Sequence, residues 1–216
     1  MKKNNIGFYI FHGNGPFGFF HLFCWWLVLL GFTVLANTEI ETDRFSVGLL
    51  ALYDFQLTRG SLVIDQSGVK PILNLRIENP SNVQRAKGLL KLKQKTIIQS
   101  KLPATKVIEA IRQSGELTVE VWLQSAQLEQ SGPARIVTLS QNSSNRNFTL
   151  GQDANQFDVR FRTTETSNNG QPSLSSGSKK FNLGLTHLVY VRQNSGWTRI
   201  FINGHPISKK KVSIES

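Results

Sequence analysis

The sequence predicts an all-β protein, a two-sheet antiparallel sandwich of the jelly-roll kind, with one short helix in the body and an apolar helix ahead of it. Three observations carry that expectation. From Gly48 onward, short runs rich in Val, Ile, Leu, Phe, Tyr, Trp and Thr recur between clusters of Gly, Asn, Ser and Pro, which is the spacing of sandwich strands and turns. In "FDVRFR", Phe157, Val159 and Phe161 alternate with Asp158, Arg160 and Arg162, so one face is buried and the other is wet. The only cysteine, Cys24, lies before this body, which must therefore rest on a hydrophobic core and not on disulfides. A length of 216 residues suffices for one well-buried domain.

Taken in chain order, the first element is a leader. "MKKNN" gives a basic start, "FFHLFCWWLVLLGFTVLA" an apolar run, and Val34 and Ala36 small or apolar residues before a cut, the pattern of an export signal. Cleavage after Ala36 leaves Asn37 first, but the run is also long enough to remain as a membrane anchor, and both readings stay open. In either case Lys2 and Lys3 stay in the cytoplasm and the body lies outside, secreted or tethered. "HLF" before Cys24 lacks the small residue of a lipidation site. The "GNGPFG" at Gly13 to Gly18 spells a dinucleotide fingerprint, yet no strand precedes it and no βαβ unit surrounds it, so it is set aside.

The body follows, with an expected domain at 45–208 between a leader at 1–36 and a basic tail at 209–216. Strands are expected in "GLLALYDF", "SLVID", "LNLRI", "LTVEVWL", "ARIVTLS", "NFTLG", "FDVRFRT", "HLVYVR" and "TRIFI". "ATKVIEAIRQSG" predicts the helix: Val107, Ile108 and Ile111 make its apolar side and Gly115 stops it. The polar stretch 163–180 reads as a long surface loop, a kind of segment that often touches ligands. "QNSG" and then Asn203-Gly204 supply two tight turns, so the chain closes as a meander.

With these runs in place, "GLLALYDFQLTRGSLVIDQSG", "GELTVEVWLQ" and "THLVYVRQNSGWTRIFINGHPI" resemble, in order from about Gly48 to Ile207, successive pieces of the laminin-G-like, concanavalin A-like family. The shared features are an Asp-x-Ser-Gly turn (Asp65, Ser67, Gly68), a Thr-Val-Glu-x-Trp strand (Thr118 to Trp122), and a His-led strand pairing with one that ends in Asn-Gly. The resemblance implies a jelly roll used by relatives as a glycan- or protein-binding module of extracellular proteins, often with bound calcium. Relatives continue past the Asn-Gly turn with further strands, whereas this sequence ends at "HPISKKKVSIES". A missing strand would leave unpaired backbone groups and an uncovered apolar strip, so a shortened, marginally stable member is the second reading.

Some relatives are glucanases, and Glu116 and Glu120 share a strand face, but Thr118 stands where a middle carboxylate is needed; a glycoside hydrolase is the third reading. His187 and His205 lie apart with no Cys nearby, so no zinc site is expected. Ser140 and His187 lack a nucleophile elbow. Calcium needs oxygen ligands, and Asp153, Asn155 and Asp158 lie close enough along the chain to share one ion with backbone carbonyls.

Net charge is +11, from 25 Lys+Arg against 14 Asp+Glu. Between Arg85 and Lys106 no acidic residue appears, and Lys91, Lys93 and Lys95 alternate as if along one strand face. Such a row either protects a sheet edge or attracts a polyanion. For an exported chain an anionic polysaccharide or a lipid surface comes before nucleic acid. Trp122 is expected in the core and Trp197, beside a turn, is expected exposed as a sugar-stacking candidate. "NSS" at Asn142 and "NFT" at Asn147 fit the glycosylation acceptor pattern. The expected function is thus a non-enzymatic extracytoplasmic binding module for a glycan or an envelope protein.

Overall fold

Alternating apolar residues and turn chemistry build a mostly β structure. In a computed structural model, residues 47–178 and 181–212 are described, together with the backbone of residues 8–11. The leader's apolar run, and with it the expected apolar helix, lies outside the described residues. So do 179–180, the end of the polar loop, and 213–216, the end of the expected tail.

The largest sheet has six antiparallel strands in the order β15 (His205–Lys211), β14 (Trp197–Ile202), β13 (Thr186–Arg192), β8 (Leu117–Leu123), β1 (Phe8–Phe11), β2 (Leu49–Tyr53). A second, of four strands, runs β12 (Leu174–Ser175), β11 (Gln156–Phe161), β10 (Arg146–Ala154), β9 (Gln130–Ser140). Two smaller ones are β3 (Leu62–Val63), β4 (Leu75–Ile77), β7 (Ile98–Ser100), and the hairpin β5 (Val83–Ala86), β6 (Leu89–Leu92). Four antiparallel sheets therefore stand where two were expected, an arrangement consistent with a β-sandwich whose connections carry short pairings of their own.

The two larger sheets share one core. From the first come Val119, Val121, Leu188, Tyr190 and Ile200, and from the second Phe148, Leu150, Phe157, Val159 and Phe161, all buried. The Phe148 ring lies 5.5 Å from that of Tyr190 and joins the layers. Each such side chain contributes about 1.5–3 kcal/mol when fully buried. The buried face read in "FDVRFR" is borne out, but the other face is not wet as expected: Asp158 and Arg160 are buried as well, and of the three polar residues only Arg162 is exposed.

Turns and the helix follow their chemistry. Asn203 and Gly204 both have positive φ, 51° and 81°, which makes a two-residue hairpin loop matched to strand twist. The helix α1 (Thr105–Ser114) ends at Gly115, whose φ of 68° closes the left-handed cap. Beyond the second turn the chain re-enters the sheet, so Lys209, Lys210 and Lys211, expected as tail, pair with Arg199, Thr198 and Trp197.

The Asp-x-Ser-Gly turn is tied to α1 by a buried ion pair. Lys106 Nζ lies 2.7 Å from Asp65 Oδ2 and donates also to Val69 O at 2.7 Å. Asp65 accepts the backbone N–H groups of Leu52, Ser67 and Leu73 as well. Burial alone would raise the Asp65 pKa, but the hydrogen bonds from Lys106, Ser67 and Leu73 outweigh it and hold the carboxyl below its ordinary range.

Two expectations need correction. Lys91, Lys93 and Lys95 do not share a strand face: β6 ends at Leu92, and the N–H groups of Lys93 and Gln94 turn to Asn82 O. The stretch 163–180 is not simply surface loop, since β12 pairs there with β11, and Thr163, Gly170 and Ser176 are buried.

Candidate functional site

Strand alternation sets the site. On β8, Leu117, Val119 and Val121 point into the core, so Thr118, Glu120 and Trp122 stand on the outer face of the six-stranded sheet, half-buried. The neighbouring strand β13 pairs with β8 in the register His187 to Trp122 and Val189 to Glu120. His187 thus lies directly opposite Trp122 and diagonal to Glu120.

These three side chains form one cluster. The rings of Trp122 and His187 stack with centroids 4.4 Å apart and planes at 14°. His187 Nε2 lies 2.9 Å from Glu120 Oε1. The side chains of His187 and Glu120 are 25% and 21% exposed, so the cluster is reachable from solvent yet held by packing. An aromatic pair of fixed orientation offers an apolar surface to C–H groups, while the carboxylate accepts hydroxyl or amide N–H donors. Trp122 was expected in the core. Its parity with Glu120, between the inward Val119 and Val121, is the sequence signal that places it outside.

Trp197 is exposed as expected, at 37%. Lys209 Nζ stands 5.7 Å from its ring centroid, within cation–π range. The structure does not bring Trp197 and Trp122 together, because Trp197 begins β14 and His187 pairs beyond its end. At about 3.3 Å per residue the two lie roughly 20 Å apart along the strand. Lys91, Lys93 and Lys95 are exposed on and just after the small β5–β6 hairpin, in neither aromatic site.

Asp153, Asn155 and Asp158 follow the β10–β11 hairpin, where Asp153 pairs with Gln156 and Asp158 with Gly151. The Asp158 carboxylate is taken by Arg160, whose Nε lies 3.1 Å from Oδ2. Among the described residues no three His, Cys, Asp or Glu side chains gather as a metal site. Glu116, the other carboxylate of the hydrolase reading, is only 9% exposed at the entry to β8.

No curated protein and no solved structure matches the chain. The family model of the concanavalin A-like lectin/glucanases superfamily matches residues 100–215, just over half of the sequence. The match spans α1, β8, both layers of the core and the Trp122, His187, Glu120 cluster. The chain belongs to the concanavalin A-like lectin/glucanase superfamily.

Proposed function

We propose that this chain is a non-enzymatic binding module, exported and either secreted or tethered, that recognises a glycan or an envelope protein through the outer face of its six-stranded sheet. The observation that carries the reading is the Trp122–His187 stack with Glu120 hydrogen-bonded beside it. The superfamily match supports a lectin-like role, since domains of this class commonly bind glycans or proteins. A hydrolase would need a positioned acid and a second carboxylate; Glu120 is engaged by His187, Thr118 intervenes on the strand, and Glu116 is buried. These points favour binding over hydrolysis.

The test is a glycan and protein-ligand screen with the full chain in nonionic detergent, followed by affinity measurements on Trp122→Ala and Trp197→Ala. Truncating Trp122 is expected to weaken a true ligand at least roughly tenfold, as for a central aromatic anchor. An unchanged affinity in Trp122→Ala with a loss in Trp197→Ala would move the site to the Trp197–Lys209 spot. Release of reducing sugar that disappears in Glu120→Gln would replace this reading with the enzymatic one.

A further inference from the structure

The outer face of the second sheet carries a different cluster. Register puts Arg135 and Asp158 opposite Gly151, and Arg160 opposite Thr149, so Arg135, Asp158 and Arg160 share one face around a position that has no side chain. A Cβ at Gly151 would meet Ala134 O at 2.7 Å and Pro133 Cβ at 2.9 Å, so β9 packs too closely against this position for any side chain and fills the space beside the glycine. The connection from β9 to β10 supplies backbone carbonyls to two arginines. Arg135 Nη2 approaches Asn142 O at 3.4 Å, and Arg146 donates from Nε and Nη2 to Ser143 O at 2.9 and 2.7 Å.

Charge in this cluster does not balance. Arg146 and Arg160 are 8% and 9% exposed, and Arg135 joins them from solvent. Among the described residues, the Asp158 carboxylate opposes the like charges of Arg135 and Arg160 around Arg146. Burial first, then those two cations, hold the Arg146 pKa below its usual range, with Asp158 opposing. Arg146 Nη1 is screened from solvent and has no acceptor among the described residues. Buried guanidinium donors without a partner are costly, and a planar fork of donors fits an oxyanion.

We propose that Arg135, Arg146 and Arg160 form an oxyanion-binding subsite on the outer face of the four-stranded sheet, taking a sulfate-like or carboxylate group. Asp158 occupies part of the cationic field and acts as the internal competitor of the ligand. The subsite lies on the opposite sheet from the Trp122 cluster and stands whether or not that cluster binds a glycan. Two sources carry this chemistry, a free inorganic anion and an acidic polysaccharide.

The experiment follows the arginine Nε–Hε resonances of the full chain in nonionic detergent while sodium sulfate is added, with sodium chloride at matched ionic strength as reference. The expected result is a saturable shift of the Arg146 resonance with sulfate and not with chloride. Arg135→Gln, at an exposed position, should weaken saturation about fivefold, and Asp158→Asn should strengthen it. The triple variant Lys91→Gln, Lys93→Gln, Lys95→Gln changes net charge by more than either and should leave the curve in place. A sulfated polysaccharide that displaces sulfate from this resonance identifies the polymer as the source; failure to displace identifies a free-anion site. Equal, unsaturating drifts with both salts, or a curve that moves with the lysine variant as much as with Arg135→Gln, would overturn the proposal.

Discussion

Two buried charge clusters in this chain are built on opposite plans. At one, Lys106 and Asp65 neutralise each other at 2.7 Å, with both oxygens of the carboxylate occupied by N–H donors from β2, the β3–β4 connection and α1. At the other, Asp158 pairs with Arg160 alone, while Arg146 lies near both and keeps one guanidinium nitrogen without an acceptor among the described residues. A charge cluster that closes on itself serves the fold, because removing either member strands the other away from water. A cluster that does not close holds its remaining donors for something outside the chain.

The largest expected effect comes from opening the closed cluster. Lys106→Met leaves Asp65 buried without its cation and should cost about 3–5 kcal/mol in urea unfolding, as for a broken buried pair. The same cluster gives the pH dependence. Because the folded Asp65 carboxyl sits below its unfolded value of about 3.9, its contribution is fully present above that value. It is lost as pH falls through the lower, folded pKa, so an acid titration of the melting temperature should drop below about pH 4. Lys106→Met should flatten that acid limb, because the cation that depresses the pKa is gone.

In the open cluster the order of effects should run the other way from intuition about buried charge. Asp158→Asn keeps an acceptor for Arg160 but removes the counter-charge, and should cost about 2 kcal/mol. Arg146→Met removes two bonds to Ser143 O together with one excess cation, so the opposing terms should leave stability within about 1 kcal/mol of the parent. Arg135→Gln, exposed, should stay within about 0.5 kcal/mol. If Arg146→Met instead destabilises as much as Lys106→Met, the contrast between the two clusters collapses.

What sequence reading could reach is governed by locality. The Asn203-Gly204 turn, the Gly115 cap and the strands on either side were legible because each depends on a few adjacent residues. The Asp-x-Ser-Gly turn is legible as a pattern, but its partner Lys106 lies 41 positions away from Asp65, and in the sequence it is only one more basic residue. Trp122 was misassigned by residue type, although the alternation of Val119, Glu120, Val121 and Trp122 already placed it on the carboxylate's face. The lysine row failed for the reverse reason: alternation was extended past Leu92, where the chain leaves the strand for Asn82. The arginine cluster had no local signal at all. It exists only through the shifted register of β9 on β10, and through the carbonyls of Asn142 and Ser143 in the turn between them.

Strand β1 bears on the proposed export of the chain. Its backbone pairs with β8 on one side and β2 on the other, so Phe8–Phe11 occupies an interior position of the sheet. A leader threaded through a bilayer with Lys2 and Lys3 in the cytoplasm would keep those same residues across the membrane from the body. The two uses of the segment exclude each other. Under the proposed export, pairing and translocation would compete for these residues, and the speed of sheet closure would bear on sorting as well as on folding.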